Sequence, residues 1–182
     1  MRRSRAPSRR ASTPVLVRPR PGHPTQAIAS RNGRVLRLAI GRSGIKTLKR
    51  EGDGASPRAR IRSVAMFCRT APAMALPWRP VRAGDGWCDA PESPLYNGWV
   101  PRGTRLSHEV LQRPDGLYDW VVMTDHNQLP RRLGAGSAIF VHVARAAMTP
   151  TEGCLAFARD AWRRGVVPAG PFLVGCDPRP VR

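Results

Sequence analysis

Ser137-Ala-Ile-Phe-Val-His142-Val-Ala-Arg145, followed through Ala-Ala-Met-Thr-Pro150 by Thr151-Glu152-Gly153-Cys154-Leu155, is the stretch on which the fold is read. Its first part is a β-branched and aromatic run, the composition of a buried strand, interrupted by one histidine. Its last part places a cysteine directly behind a glycine, where a tight turn can present a thiol. A thiol and an imidazole joined by a short connection form a possible nucleophile–base pair. The competing reading is a buried, inert cysteine beside a hydrogen-bonded core histidine.

Outward from this stretch the strands accumulate. Val15–Arg18 reads as a short strand stopped by Pro19 and Pro21, and Val35–Ile40 as a better one ending at Gly41. Arg60–Phe67, Tyr118–Met123 and Pro171–Gly175 read likewise. Residues 41–57 carry glycines, a Ser-Pro and several basic side chains. They read as a loop, either a solvated one or a cationic rim beside a site that handles carboxylates. Residues 70–117 are rich in Pro, Gly and Trp with little periodicity, as expected of a long ordered cover over a sheet. A helix is expected from Cys154 to Gly165, with Leu155, Ala158 and Trp162 on one face. The expectation is a mainly β domain, a sheet or sandwich with one or two short helices and long ordered loops. It occupies residues 14–182, behind a disordered basic tail at 1–13.

Composition narrows the function classes. The 182 residues carry 31 Lys/Arg against 12 Asp/Glu, a formal charge of +19. Residues 1–84 hold 20 of these bases against 2 acids, whereas residues 85–182 hold 11 against 10. The half containing His142 and Cys154 is therefore nearly neutral. No aromatic interleaving accompanies the basic half, so nucleic-acid binding is not expected. The four cysteines, Cys68, Cys88, Cys154 and Cys176, form no C-x-x-C pair, and no metal site is expected. A disulfide among Cys68, Cys88 and Cys176 stays open. No apolar run reaches the ~20 residues of a membrane span, so stable membrane insertion is not expected. Met1–Arg10 has the charge of a signal peptide without its apolar core.

Chemistry sharpens the pair. A thioester mechanism needs a thiolate, a base and donors for an oxyanion. Cys154, placed at the start of the expected helix, would have its thiol pKa lowered by free N–H groups and the helix dipole. His142 would be returned beside the thiol by the intervening loop.

Phe140-Val-His142 followed by Thr151-Glu152-Gly153-Cys154 resembles the active-site segment of the L,D-transpeptidase (YkuD-like) catalytic domain, whose pattern is a histidine, a gap, then Ser/Thr-His-Gly-Cys. Lys49–Pro57 resembles that family's glycine-rich segment ending in Thr-Pro. A divergent bacterial branch is similar also across Gly86-Trp-Cys-Asp89, Tyr96-Asn97, Ser107-His108-Glu109, Tyr118-Asp119 and His126-Asn127. The resemblance spans residues 14–165. It implies Cys154 as nucleophile, His142 as general base, Gly153 with the Cys154 N–H at the oxyanion, and Thr151 orienting the histidine. It implies peptidoglycan stem peptides as substrate, no cofactor, and work in the periplasm or cell envelope; with no signal peptide visible, the cytoplasm stays open as the alternative, and a monomer is expected. Two positions depart from the pattern: Glu152 stands where the family has a second histidine, and Ala156 where many members have Arg or Asn. His108, Asn127 or Glu152 would then share in substrate binding. The alternatives are a hydrolase using the same pair with water as acceptor, and a non-catalytic module that binds cell wall or polyanions.

Overall fold

A computed structural model describes residues 13–177, and the expected basic tail at 1–13 lies, apart from Thr13, outside the described residues. The fold is mainly β. The strands are β1 (Val15–Arg20), β2 (His23–Arg31), β3 (Arg34–Ala39), β4 (Ile45–Lys46), β5 (Ser56–Pro57), β6 (Ala59–Ile61), β7 (Ser63–Cys68) and β8 (Trp78–Pro80). They continue with β9 (Gly86–Cys88), β10 (Trp99–Val100), β11 (His108–Val110), β12 (Trp120–Thr124), β13 (Phe140–Val143), β14 (Leu155–Phe157) and β15 (Phe172–Val174). The one helix among the described residues, α1, is Arg159–Arg163.

Ten strands form one mixed sheet in the order β6-β15-β1-β2-β3-β14-β13-β12-β7-β8. β6 lies at one edge and β7 next to the other, yet a single residue, Arg62, separates them in sequence. One residue spans only about 3.3 Å, so the sheet must curl until its two sides meet. The curl encloses an apolar core fed from nearly every strand: Val15 and Val17, Ala27 and Ala29, Leu38, Ile61, Met66, Val122, Val141 and Val143, Leu155 and Phe157, Phe172 and Val174. Helix α1 closes this core with Ala161 and Trp162. The Trp162 ring stacks on Trp120 with an interplanar angle of 8°.

Alternation along the strands sends the intervening side chains outward. On β7, β12 and β13 these are Phe67, Val121, Met123 and Phe140, and they form a second apolar cluster with Leu111, Leu117, Tyr118 and Cys154. The irregular segment expected to cover a sheet does so here. It contains a small sheet in the order β10-β9-β11, and Trp87 from β9 meets Phe140 edge-on at 5.5 Å between centroids.

Besides the single strand expected over Arg60–Phe67, which Arg62 divides into β6 and β7, three sequence expectations are corrected. Cys154–Phe157 does not begin a helix: Leu155–Phe157 is strand β14, paired in parallel with β13 and antiparallel with β3. Hydrogen-bonding partners on both sides override the helical propensity of Leu-Ala-Phe-Ala. The helix is left with five residues beginning at Arg159. Second, β1 continues through Pro19 to Arg20, and a full strand, β2, follows the Pro21-Gly22 turn. Its inward residues are small alanines, Ala27 and Ala29, which carry little strand signal. Third, the loop at 41–57 contains the short parallel pair β4 and β5.

Candidate active site

Parallel pairing of β13 with β14 aligns Val141 with Leu155 and His142 with Ala156. With period-2 alternation, His142, Ala156 and Cys154 project from the same outer face of the sheet. Cys154 and His142 are thus diagonal neighbours on adjacent strands, and both line one cavity of about 340 Å³ between the sheet and its cover. The twelve-residue spacing in sequence is what a parallel crossover needs to bring two strands into register. The backbone of His142 is fixed from the core, where Trp162 Nε1–H donates to its carbonyl at 3.1 Å.

The imidazole has one assignable tautomer. Nδ1 lies 2.8 Å from the Val143 carbonyl oxygen, which can only accept, so Nδ1 carries the proton and Nε2 the lone pair. Burial pushes the His142 pKa down to about 4, with the nearby guanidinia of Arg113 and Arg145 acting in the same direction. Tyr118 stands edge-on over the imidazole at 5.1 Å between centroids, and its hydroxyl donates to Glu109 Oε1 at 3.0 Å. His142 is therefore a neutral base held in orientation by the backbone on one side and an aromatic ring on the other.

The thiol differs from its sequence expectation. Without a helix N-terminus at Cys154, no helix dipole lowers its pKa. Burial instead pushes it up to about 12. The resting sulfur is protonated, donating to the Ala138 carbonyl at 3.1 Å and accepting from the Phe140 N–H at 3.4 Å. Ala138 has a left-handed φ of +49°, a conformation that favours glycine. The Asn97 side chain, accepting the Ala138 N–H at 3.2 Å, helps to hold it.

The turn that carries the cysteine is tied by two hydroxyls, those of Thr151 and Ser56. The Thr151 hydroxyl donates to the Cys154 carbonyl at 2.8 Å and accepts the Gly153 N–H at 3.1 Å. Thr151 thus braces the turn, and its hydroxyl bonds are spent there rather than on the histidine it was expected to orient. Ser56 Oγ donates to the Gly153 carbonyl at 2.7 Å and accepts the Gly41 N–H at 3.0 Å. Glycine at 153 is dictated by both conformation and space: φ is +142°, and a Cβ would meet the Ala55 carbonyl oxygen at 2.7 Å. Its N–H, expected at the oxyanion, is already engaged by Thr151.

The remaining expected residues separate. Glu152 lines the cavity at its rim, where Arg42 Nε approaches its carboxylate at 2.9 Å. Asn127 is a loop staple: its Nδ2 donates to the Arg132 and Gly136 carbonyls and its Oδ1 accepts the Arg132 N–H. Those bonds occupy its side chain with its own loop. His108 pairs opposite Cys88 in the small sheet and its Nδ1 donates to Leu106 O at 2.7 Å; it is not among the cavity-lining residues. Its neighbour Glu109 lines the cavity instead, because adjacent strand residues face opposite ways.

Sequence reasoning missed Arg113, Arg145 and Ser137 among the cavity residues; Lys49 and Glu51 reach it from the 41–57 loop, read as either a solvated loop or a cationic rim, and Glu109 from the segment quoted with His108. Lys49 is paired with Asp53 at 2.6 Å, and Arg113 with Asp115 and Glu109. The Tyr96 hydroxyl donates to Glu51. Among the described residues Arg145 makes no ion pair, leaving an exposed guanidinium at the rim. Ser137 Oγ is buried and has no hydrogen-bond partner among the described residues. A glycine beside Ser137 was the one available signal for it, too common to single out.

The four cysteines are all free, which settles the open disulfide. Among the described residues no group of three His, Cys, Asp or Glu side chains is placed to hold a metal ion, and no helix is long and apolar enough to cross a membrane. Another hollow, of about 380 Å³ between Val15, Leu36 and Val167, has Arg31, Asn32 and Arg34 as its polar lining and offers no nucleophile. In comparisons with known proteins, no family model, curated protein or solved structure matches this chain.

Proposed function

We propose that this chain is a cysteine acyltransferase acting on peptidoglycan stem peptides, with L,D-transpeptidase chemistry. The observation that carries the reading is the placement of Cys154 and His142 on one sheet face, lining one cavity, with the imidazole lone pair on Nε2. A core cysteine beside a core histidine has no need of a polar cavity over both. The sequence resemblance supplies the substrate class, and with it a place of action in the periplasm or cell envelope.

The pKa values set the order of events. At neutral pH the thiol holds its proton and the imidazole is neutral, so an ion pair formed ahead of attack is strongly disfavoured. The Cys154 S–H proton passes to His142 Nε2 as sulfur adds to the donor carbonyl carbon. Collapse of the tetrahedral intermediate breaks the C–N bond, and the leaving amine takes the proton from His142, leaving a thioester. An acceptor amine then attacks the thioester, His142 takes its proton, and the departing sulfur recovers that proton as the new amide forms. Because Gly153 N–H is committed to Thr151, the Cys154 N–H is the backbone donor proposed for the oxyanion. Arg145, free of an ion pair, is the cation offered to a substrate carboxylate in place of the side chain that Ala156 lacks.

The test is incubation with a disaccharide tetrapeptide and a D-amino acid, read by mass. Exchange or crosslinked products support transfer, and shortened peptides alone support hydrolysis with water as acceptor. Absence of product, together with absence of a carbapenem adduct on Cys154, refutes a catalytic role. Cys154→Ala and His142→Ala are each expected to abolish product while leaving the melting temperature within a few degrees. Full activity in Cys154→Ala would overturn the assignment of the nucleophile.

A further inference from the structure

On the 125–136 loop and on the neighbouring 41–57 loop, three leucines stand exposed to water. Leu129 is 97% exposed, Leu48 81% and Leu133 62%. Leu48 and Leu129 line one shallow hollow; Leu133 follows Leu129 in the same loop, and the Glu51 N–H donates to the Gly134 carbonyl at 2.9 Å, fastening that loop to the one carrying Leu48. Clustered exposed apolar residues mark interaction sites far more often than scattered ones do.

Their exposure is enforced by the fold. Asn127 makes three hydrogen bonds across its own loop. The Asn97 side chain donates to the carbonyls of His126 and Asn127, and the Gln128 side chain returns a bond to the Asn97 carbonyl. The cover therefore holds the loop from behind and presents Leu129 at its tip. A loop free to collapse would turn these side chains inward.

The flanking charge has one sign. Arg50, Arg131 and Arg132 are exposed and make no ion pair among the described residues. Of the carboxylates beside them, Asp125 accepts the Arg62 N–H at 2.7 Å, and Asp53 accepts the Arg50 N–H at 2.9 Å while pairing with Lys49, so both are occupied. Leucines projecting from a firm loop between unpaired guanidinia match an interface with anionic headgroups outside and hydrocarbon just beneath. A protein partner of fixed shape would be met by a deeper groove, whereas Leu129 protrudes.

We infer that the Leu48–Leu129–Leu133 face docks peripherally on an anionic lipid bilayer, with the leucines entering the headgroup region and Arg50, Arg131 and Arg132 pairing with phosphates. Lys49 lines both this hollow and the cavity holding Cys154, so docking sets the candidate active site close to the membrane surface. The inference rests on surface geometry and stands whether or not the chain is an acyltransferase.

Charge alone is the competing explanation, since residues 1–84 hold most of the basic excess. The test must therefore leave charge unchanged. The full chain and its Leu48→Ser/Leu129→Ser/Leu133→Ser variant are co-sedimented with phosphatidylglycerol–phosphatidylcholine vesicles at physiological salt, with pure phosphatidylcholine vesicles alongside. The expected result is binding to the anionic vesicles that weakens at least about tenfold in the triple variant, with Leu129→Ser alone giving part of the loss. Arg50→Gln/Arg131→Gln/Arg132→Gln should weaken binding to the anionic vesicles while leaving binding to pure phosphatidylcholine unchanged. Equal binding by the wild type and the leucine variant would overturn the inference, as would no vesicle binding by the wild type. Concentration-dependent dimerisation lost in the leucine variant, without vesicle binding, would assign the face to a second copy of the chain instead. A matching melting temperature confirms that the variants are folded.

Discussion

Replacing Thr151 by valine removes an oxygen and leaves the shape. That substitution isolates what holds the cysteine turn. The hydroxyl makes two bonds, donating to the Cys154 carbonyl at 2.8 Å and accepting the Gly153 N–H at 3.1 Å. At about 1 kcal/mol net for each neutral bond, the loss is about 2 kcal/mol, rising toward about 3 if the Gly153 N–H is left unsatisfied. For a domain of this size each kcal/mol moves the melting temperature by about 2–4 °C, so a fall of about 4–8 °C is expected by differential scanning calorimetry. The turn also aims the sulfur, and a displacement approaching 1 Å can cost about 10²-fold in rate. Acylation of Cys154, followed by intact-protein mass, should slow by between about tenfold and that limit. Thr151→Ser keeps both bonds and should stay close to wild type in both measurements. If Thr151→Val melts and acylates as wild type, the hydroxyl does not brace the turn. If Thr151→Ser falls as far as Thr151→Val, the methyl group's packing is responsible and the reasoning from hydrogen bonds is refuted.

Other outcomes follow from the same geometry. Gly153→Ala should lose at least about 2 kcal/mol, since a left-handed residue with a Cβ is strained and here meets the Ala55 carbonyl oxygen at 2.7 Å; chemical denaturation measures it. The buried His142, with its pKa lowered from 6.5 to about 4, is neutral when folded but gains a proton when unfolded below its ordinary pKa. Its contribution to stability is full above about pH 6.5 and declines as pH falls to about 4, by about 3 kcal/mol in all. Denaturant titrations of wild type and His142→Ala across that window should show the extra acid slope in the wild type only. Cys154, pushed up to about 12, should alkylate slowly with iodoacetamide near neutrality. Its rate should climb about tenfold per pH unit without a plateau below about pH 11; a plateau near pH 7 would show an activated thiolate at rest.

Much of the fold was legible because its central strands announce themselves. Tyr118–Met123 and Ala138–Ala144 are dense in β-branched and aromatic residues, and the cover at 70–117 shows as a segment rich in Trp, Pro and Gly without period. Strand β2 was hidden because alanines fill its inward positions beside the closely paired β1 and β3. Strand β14 was hidden for a different reason. Leu155-Ala156-Phe157 is buried at every position, and a short run with no polar face has no periodicity to separate strand from helix. That one ambiguity propagated into the chemistry. With a helix at Cys154 the thiol would be acidified; with a strand it is buried and protonated. Cys154 and His142 were legible as a pair because both belong to the same short crossover. Glu109, Arg113 and Tyr118 reach the cavity from the cover, and only tertiary packing reveals which of its side chains face inward.

The meeting of the sheet's two sides has a bearing on how the chain acquires its structure. Strand β15, built from Phe172–Val174, is inserted between β6 and β1 and pairs with both. The first strand therefore waits for the last one, and the contact it awaits spans nearly the whole sequence. Topologies dominated by such distant pairings fold slowly. A chain interrupted before Phe172 would leave β1 and β6 as two bare edges facing each other, with the donors and acceptors of both unsatisfied. Bare edges recruit strands from other molecules, so truncation of this protein should yield aggregates rather than a smaller soluble domain. The three residues of β15 thus act as the clasp of the whole sheet, although they lie on its far side from the cysteine.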